Sequence, residues 1–253
     1  MDIIWFCALA FLLVGYFALE GFDLGLGMLL PILGRTQEER DRIVAGMAPF
    51  VLANEVWLVA AVGVLFGAFP QLEGKALSGL YPLIVSLLVT WILRDAGLWF
   101  RRRLDGRRWR GFWDTVIAVA SLGLSFTWGL AIAGMARGFP DDLADPRGLL
   151  LGALVAALFA LHGWTFASWR MPGQMTGSRR TGLALMATGA LAALPIAVPL
   201  AFMAPSIVGL AAPDETLNVL GLMVVPFTPL MIGAQVWVWR TFRPERAPHP
   251  SFF

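Results

Sequence analysis

The chain has 253 residues, 58% of them hydrophobic and 14% charged, with a formal net charge of +2 and a mean hydropathy of +0.72. That balance excludes a water-soluble domain, in which about a quarter of residues carry charge. It predicts an all-α integral membrane protein with about seven transmembrane helices in a bundle.

The first apolar stretch, at about 3–30, has no basic leading segment and no small-residue cleavage site. It therefore reads as a retained span, with the mature chain starting near Met1. Cys7 is the only cysteine, which excludes an internal disulfide and any multi-cysteine metal or iron–sulfur site. Glu20 and Asp23 follow at helical spacing, with Gly27 on the same stripe. Gly21 and Gly25 form a small-xxx-small pair that lets another helix approach closely.

The second stretch, at about 47–69, carries Asn54 and Glu55, and the third, at about 78–100, carries Arg94 and Asp95. The fourth and fifth run over about 112–136 and 148–169, the latter with His162. Pro195 and Pro199 fall in the sixth, at about 181–204, and Pro226 and Pro229 in the seventh, at about 217–239.

Basic residues give an orientation, because Lys and Arg accumulate on the cytoplasmic side of short loops. The connections after spans one, three and five, with the C-terminal tail, hold Arg35, Arg40, Arg42, Arg101, Arg102, Arg103, Arg107, Arg108, Arg110, Arg170, Arg179, Arg180, Arg240, Arg243 and Arg246. The opposite loops hold only Lys75, Arg137 and Arg147. The asymmetry predicts an N-terminus outside and a C-terminus in the cytoplasm. Trp5 at the outer boundary and Trp99, Trp109, Trp113, Trp169, Trp237 and Trp239 at the inner one read as aromatic belts. An arginine-rich inner face suits anionic lipid, and nothing supports a nucleic-acid partner.

Ionisable residues inside a bilayer are expensive and mark function. Glu20, Asp23, Glu55, Arg94 and Asp95 fall on the cytoplasmic side of the midplane by roughly 4 to 10 Å, and His162 lies at a similar depth. Two readings are compatible with this cluster. One is a structural ion-pair network around Arg94; the other is a hydrated proton-conducting or ion-binding region open to the cytoplasm, since four acids outnumber one arginine.

Several segments in register carry a resemblance. LEGFDLGLGMLLP at 19–31, APFVLANEVWL at 48–58, LFGAFPQLEGKALSGLYPL at 65–83, RDAGLWFR at 94–101 and RRWRGFWD at 107–114 are similar to subunit II of the cytochrome bd-type quinol oxidases. HGWTF at 162–166 and TLNVLGLMVVP at 216–226 extend the match. The resemblance covers about 12–170 and 195–240, and it implies a shortened form with two helices fewer after residue 180 than family members usually carry. Many relatives have Trp-Asp-Gly where this chain has Val51, Leu52 and Ala53. An aspartate assigned to a proton path in some relatives is thus Leu52 here, while Glu20, Asp23, Glu55 and Arg94 match family positions.

The resemblance implies a complex that oxidises quinol and reduces dioxygen to water with cytoplasmic protons, in the bacterial cell membrane. Haems b and d and the quinol then belong to a larger subunit I, with this chain as its haemless counterpart, alongside small accessory membrane subunits and lipids. His162 and His249 are the only histidines, so His162 is the one membrane candidate for a haem ligand, against hydrogen bonding to a neighbouring helix or a place in a proton relay. The expected organisation is helices 1–5 over 1–180 bearing the motifs, helices 6 and 7 over 181–240, and a cytoplasmic tail over 241–253. The competing classes are a secondary transporter with an intramembrane charged site, in which the prolines break helices, and a purely structural membrane scaffold.

Overall fold

The computed structural model describes residues 1–140, 142, 145–171 and 181–244. Arg179, Arg180, Arg246 and His249 lie outside these residues, as do most of the expected tail and of the RMPGQMTGSRR loop. The described residues form helices: α1 (Asp2–Leu33), α2 (Gln37–Ala68), α3 (Pro70–Gly79), α4 (Tyr81–Phe100), α5 (Arg107–Ala136), α6 (Pro146–Arg170), α7 (Gly182–Val208), α8 (Asp214–Val224) and α9 (Thr228–Thr241). Seven segments, with α8 and α9 together as one, are long and apolar enough to cross a membrane. The chain is a multi-pass membrane protein.

Helix ends follow capping chemistry more than hydropathy. α2 begins ten residues before the apolar stretch because Thr36 and Glu39 form a capping box, each side chain accepting from the other's backbone N–H. Glu38 and Arg42 pair one turn apart on the same polar extension. The short α3 starts at Pro70, where a missing N–H costs nothing, and buries Leu72 and Ala76.

α1 is the central helix, packed against α2, α5, α6 and α7. α4 lies on α5, and α8 and α9 run along α2. Lipid is as apolar as leucine, so burying leucine does not by itself hold membrane helices together; close backbone approach and interhelical hydrogen bonds do more of that. At the α1–α6 crossing a Cβ on Gly25 would overlap the Phe159 carbonyl, and one on Gly163 would overlap the backbone of Gly25 and Leu26. Gly129 of α5 and Gly152 of α6 make a second such contact. Phe22 and Phe166 stack between α1 and α6 at 4.0 Å, with Phe50 of α2 edge-on to both.

Three features differ from the sequence expectation. α7 passes through Pro195, Pro199 and Pro205 without a break, whereas the last span stops at Val224 and restarts at Thr228. Pro226, which lacks an N–H, sits in the intervening turn, where the Thr228 hydroxyl donates to the Val224 carbonyl at 3.1 Å. Trp5 is buried in the core rather than lying at the lipid boundary. The glycine stripe of α1 serves packing within the chain; exposed apolar side chains occur on several helices, among them Leu52, Val56 and Val59 of α2 and Val85, Leu88 and Ile92 of α4.

Candidate functional site in the bundle interior

Arg94 projects from α4 toward α1 and α2 and is almost fully enclosed. Its guanidinium pairs with Glu20 of α1, with Glu55 of α2 at 3.3 Å and with its neighbour Asp95 at 3.2 Å. The Trp91 indole, one turn earlier on α4, donates to Glu55 at 2.9 Å. A five-donor planar fork suits this position, because one side chain can face several carboxylates from different helices. Glu20 is fully enclosed, whereas the Asp95 side chain is 30% exposed.

Asp23 joins the site through a different connection. Asn54 Nδ2 donates to Asp23 at 2.6 Å and to the Leu19 carbonyl at 3.1 Å. Gln235 of α9 donates to Asn54 Oδ1 at 2.8 Å, and the Trp57 indole donates to Gln235 Oε1 at 3.2 Å. An indole N–H can only donate, so Trp57 fixes which way both amides point and the chain delivers a donor to Asp23. Among the described residues, Glu20 Oε2 and Asp23 Oδ1 have no hydrogen-bond partner. The interior thus holds four carboxyl groups against one guanidinium, with acceptor capacity to spare.

His162 lies apart from this charge network. Its Nε2 is 3.0 Å from the Ala18 carbonyl, which can only accept, so the ring proton sits on Nε2. Its Nδ1 faces the Thr188 hydroxyl at 2.8 Å. Phe22 packs edge-on to the ring, and even a Cβ on Gly189 would press against it. Both ring nitrogens are engaged and no space adjoins them, so the residues around His162 do not fit a haem. Its place is a three-helix contact among α1, α6 and α7.

A second buried network lies at the arginine-rich end. Arg101, at the end of α4, is fully enclosed and binds Asp114 of α5 at 2.9 Å and Asp41 of α2 at 2.8 Å. Arg40 also reaches Asp114, at 3.2 Å, and Arg110 reaches Asp41 and Asp105, each at 3.3 Å. Sequence reasoning placed Arg101 among the loop charges and passed over Asp114. The signal available was an acid closing the segment that holds six arginines at 101–110, one turn after Arg110.

The chain matches the family described as cytochrome bd terminal oxidase subunit II over residues 1–211. It belongs to that family. It is 31% identical over 187 residues to cytochrome bd-I ubiquinol oxidase subunit 2 of Escherichia coli strain K12, covering 68% of this chain and 49% of that protein. It is 34% identical over 208 residues to cytochrome bd ubiquinol oxidase subunit 2 of Bacillus subtilis strain 168, covering 76% of this chain and 62% of that protein. A probable cytochrome oxidase subunit 2 of Haemophilus influenzae is 29% identical over 181 residues. The chain therefore matches between about half and five-eighths of the length of the first two relatives. The subunit II match takes in α1 to α7, and so every member of the Arg94 cluster, but ends before Gln235.

Proposed function

We propose that this chain is the haemless subunit II of a bd-type terminal oxidase complex that oxidises quinol and reduces dioxygen to water. In this reading it supports a haem-bearing subunit I and lends it a proton path, in a bacterial cytoplasmic membrane with the N-terminus outside. The observation that carries the reading is the subunit II family match over residues 1–211. Three features of the matched part support the proton path. Glu20, Glu55, Arg94 and Asp95 meet in the interior, the acids outnumber the arginine, and Glu20 and Asp23 each keep an unpartnered oxygen.

In such a path, the partly exposed Asp95 stands at the outer edge of the cluster, with buried Glu55 beside it and Glu20 within. Arg94 holds the carboxyl groups in place and offsets part of their charge. The Trp91 donor keeps Glu55 turned toward α4. The apolar faces of α2 and α4 flank this edge and are the surfaces on which subunit I would seat. Haems b and d and the quinol site are assigned to that partner; small accessory membrane subunits and lipids complete the set.

The test is to purify the chain from its native membrane with whatever accompanies it. A larger co-purifying subunit and a haem spectrum that follows that subunit are expected, together with quinol-driven oxygen consumption. Glu20→Gln and Glu55→Gln should each slow oxygen consumption at least several-fold while the haem content stays constant. Unchanged rates in both would remove the proton-path role, and a haem spectrum from the chain alone would overturn the haemless assignment.

A further inference from the structure

A groove of about 1170 Å³ lies between α1, α2 and α9, apart from the charge cluster. Its walls are apolar along most of their length: Phe11 and Val14 from α1, Trp57 from α2, Ile232 and Val236 from α9. At one end the lining changes to Trp169 and Trp239 and then to Arg240 and Arg243. Both arginines are exposed, neither forms an ion pair with an acid among the described residues, and none of the lining residues is acidic.

The dimensions select the occupant. The α9 wall from Ile232 to Thr241 spans roughly 14 Å at about 1.5 Å per residue, and Arg243 and Pro244 extend it beyond the helix end. Half of a bilayer's hydrocarbon core is about 15 Å thick, so the groove is as deep as one leaflet, with the cationic end where headgroups lie. Its volume lies above the roughly 300–1,000 Å³ typical of small-molecule sites. A long apolar slot whose described mouth carries two arginines and no acid, with a tryptophan pair beside them, complements a two-chain amphiphile with a negative head.

We propose that this groove binds one anionic phospholipid of the arginine-side leaflet, with its phosphate at Arg240 and Arg243 and its acyl chains between α1 and α9. The site does not depend on the oxidase reading. It places an annular lipid in a fixed position against Trp57, whose indole N–H begins the hydrogen-bond chain to Asp23.

The experiment uses the protein purified with any partner it retains, equilibrated in detergent with an equimolar mixture of phosphatidylglycerol and phosphatidylcholine, with bound lipid counted by native mass spectrometry. One phosphatidylglycerol per chain should be retained in preference to phosphatidylcholine by roughly thirtyfold, the effect of two arginines at a headgroup. Arg240→Gln with Arg243→Gln should abolish most of that preference, and phosphatidylglycerol held by other arginines cancels in the comparison with the unaltered protein. Val236→Trp, which fills the slot from an exposed position, should displace the lipid while both arginines remain. Equal retention of phosphatidylcholine, an unchanged preference in the double variant, undiminished binding in Val236→Trp, or retention of a neutral isoprenoid lipid in its place would each overturn the proposal.

Discussion

Arg94 is the residue on which three carboxyl groups from three helices depend. Arg94→Leu keeps the side chain's apolar volume and removes the charge, so the acids are left uncompensated at a cost of about 3–5 kcal/mol. The thermal midpoint of the detergent-solubilised protein should fall well below that of the parent; an unchanged midpoint would show that the pairs are not energetically coupled. Gln235→Leu is expected to act more mildly. It strips the Trp57 donor and the Asn54 acceptor of their partner, which costs about 1–3 kcal/mol for each buried group left unsatisfied. Faster amide hydrogen exchange in α9 with little change in α1 is the expected signature. Counting residues along each span was enough to bring Glu20, Asp23, Glu55, Arg94 and Asp95 to one depth, because depth in a helix is a one-dimensional quantity. Gln235 was not legible: its partner is 181 residues away in sequence, and a lone amide in an apolar span gives no pattern. His162 was legible only as a set of alternatives, to which the structure adds its two hydrogen-bond neighbours, Ala18 and Thr188.

At the scale of helices, the glycines separate into those the fold needs and those it tolerates. Gly25→Leu or Gly163→Leu would drive a side chain into the facing backbone, so neither should yield monodisperse protein after detergent extraction. Gly63→Leu, on the same kind of helix but with nothing within 4 Å of its Cβ, should express as the parent does. Equal yields from all three would mean that the α1–α6 crossing does not hold the bundle. The seven crossings were readable from hydropathy because the bilayer sets a minimum apolar length. The prolines were not readable in the same way. A proline frees a carbonyl but does not say whether neighbours will compensate; α7, packed along one side against α1 and α6, stays continuous, and the weakly packed α8–α9 segment turns at Pro226. α3 escaped notice because its amphipathic turn is too short and too polar to register as a span. The clamp of Arg101, Asp41 and Asp114 belongs to this scale as well. Asp114→Asn should loosen the ends of α2, α4 and α5 together, seen as protease sensitivity between residues 101 and 110, whereas cleavage as slow as in the parent would argue against the clamp.

For the molecule as a whole, the orientation is testable without any catalytic assay. With Cys7 replaced by Ser and Leu104, which is exposed between α4 and α5, replaced by Cys, a membrane-impermeant thiol reagent should label inverted vesicles and spare intact cells. Labelling of intact cells would reverse the assignment. The central position of α1 also has a consequence for biogenesis. Synthesis runs from the N-terminus at about 5–20 residues per second, and Gly163, which closes over Gly25, follows it by roughly 140 residues. For several seconds or more α1 therefore resides in the membrane with its notched face open, while Glu20 waits a shorter time for Arg94. The nascent chain exposes this notched face throughout that interval, and an insertase or holding factor that shields small-residue helix faces would find its binding site there, on a face that Phe159 and Gly163 cover in the finished protein.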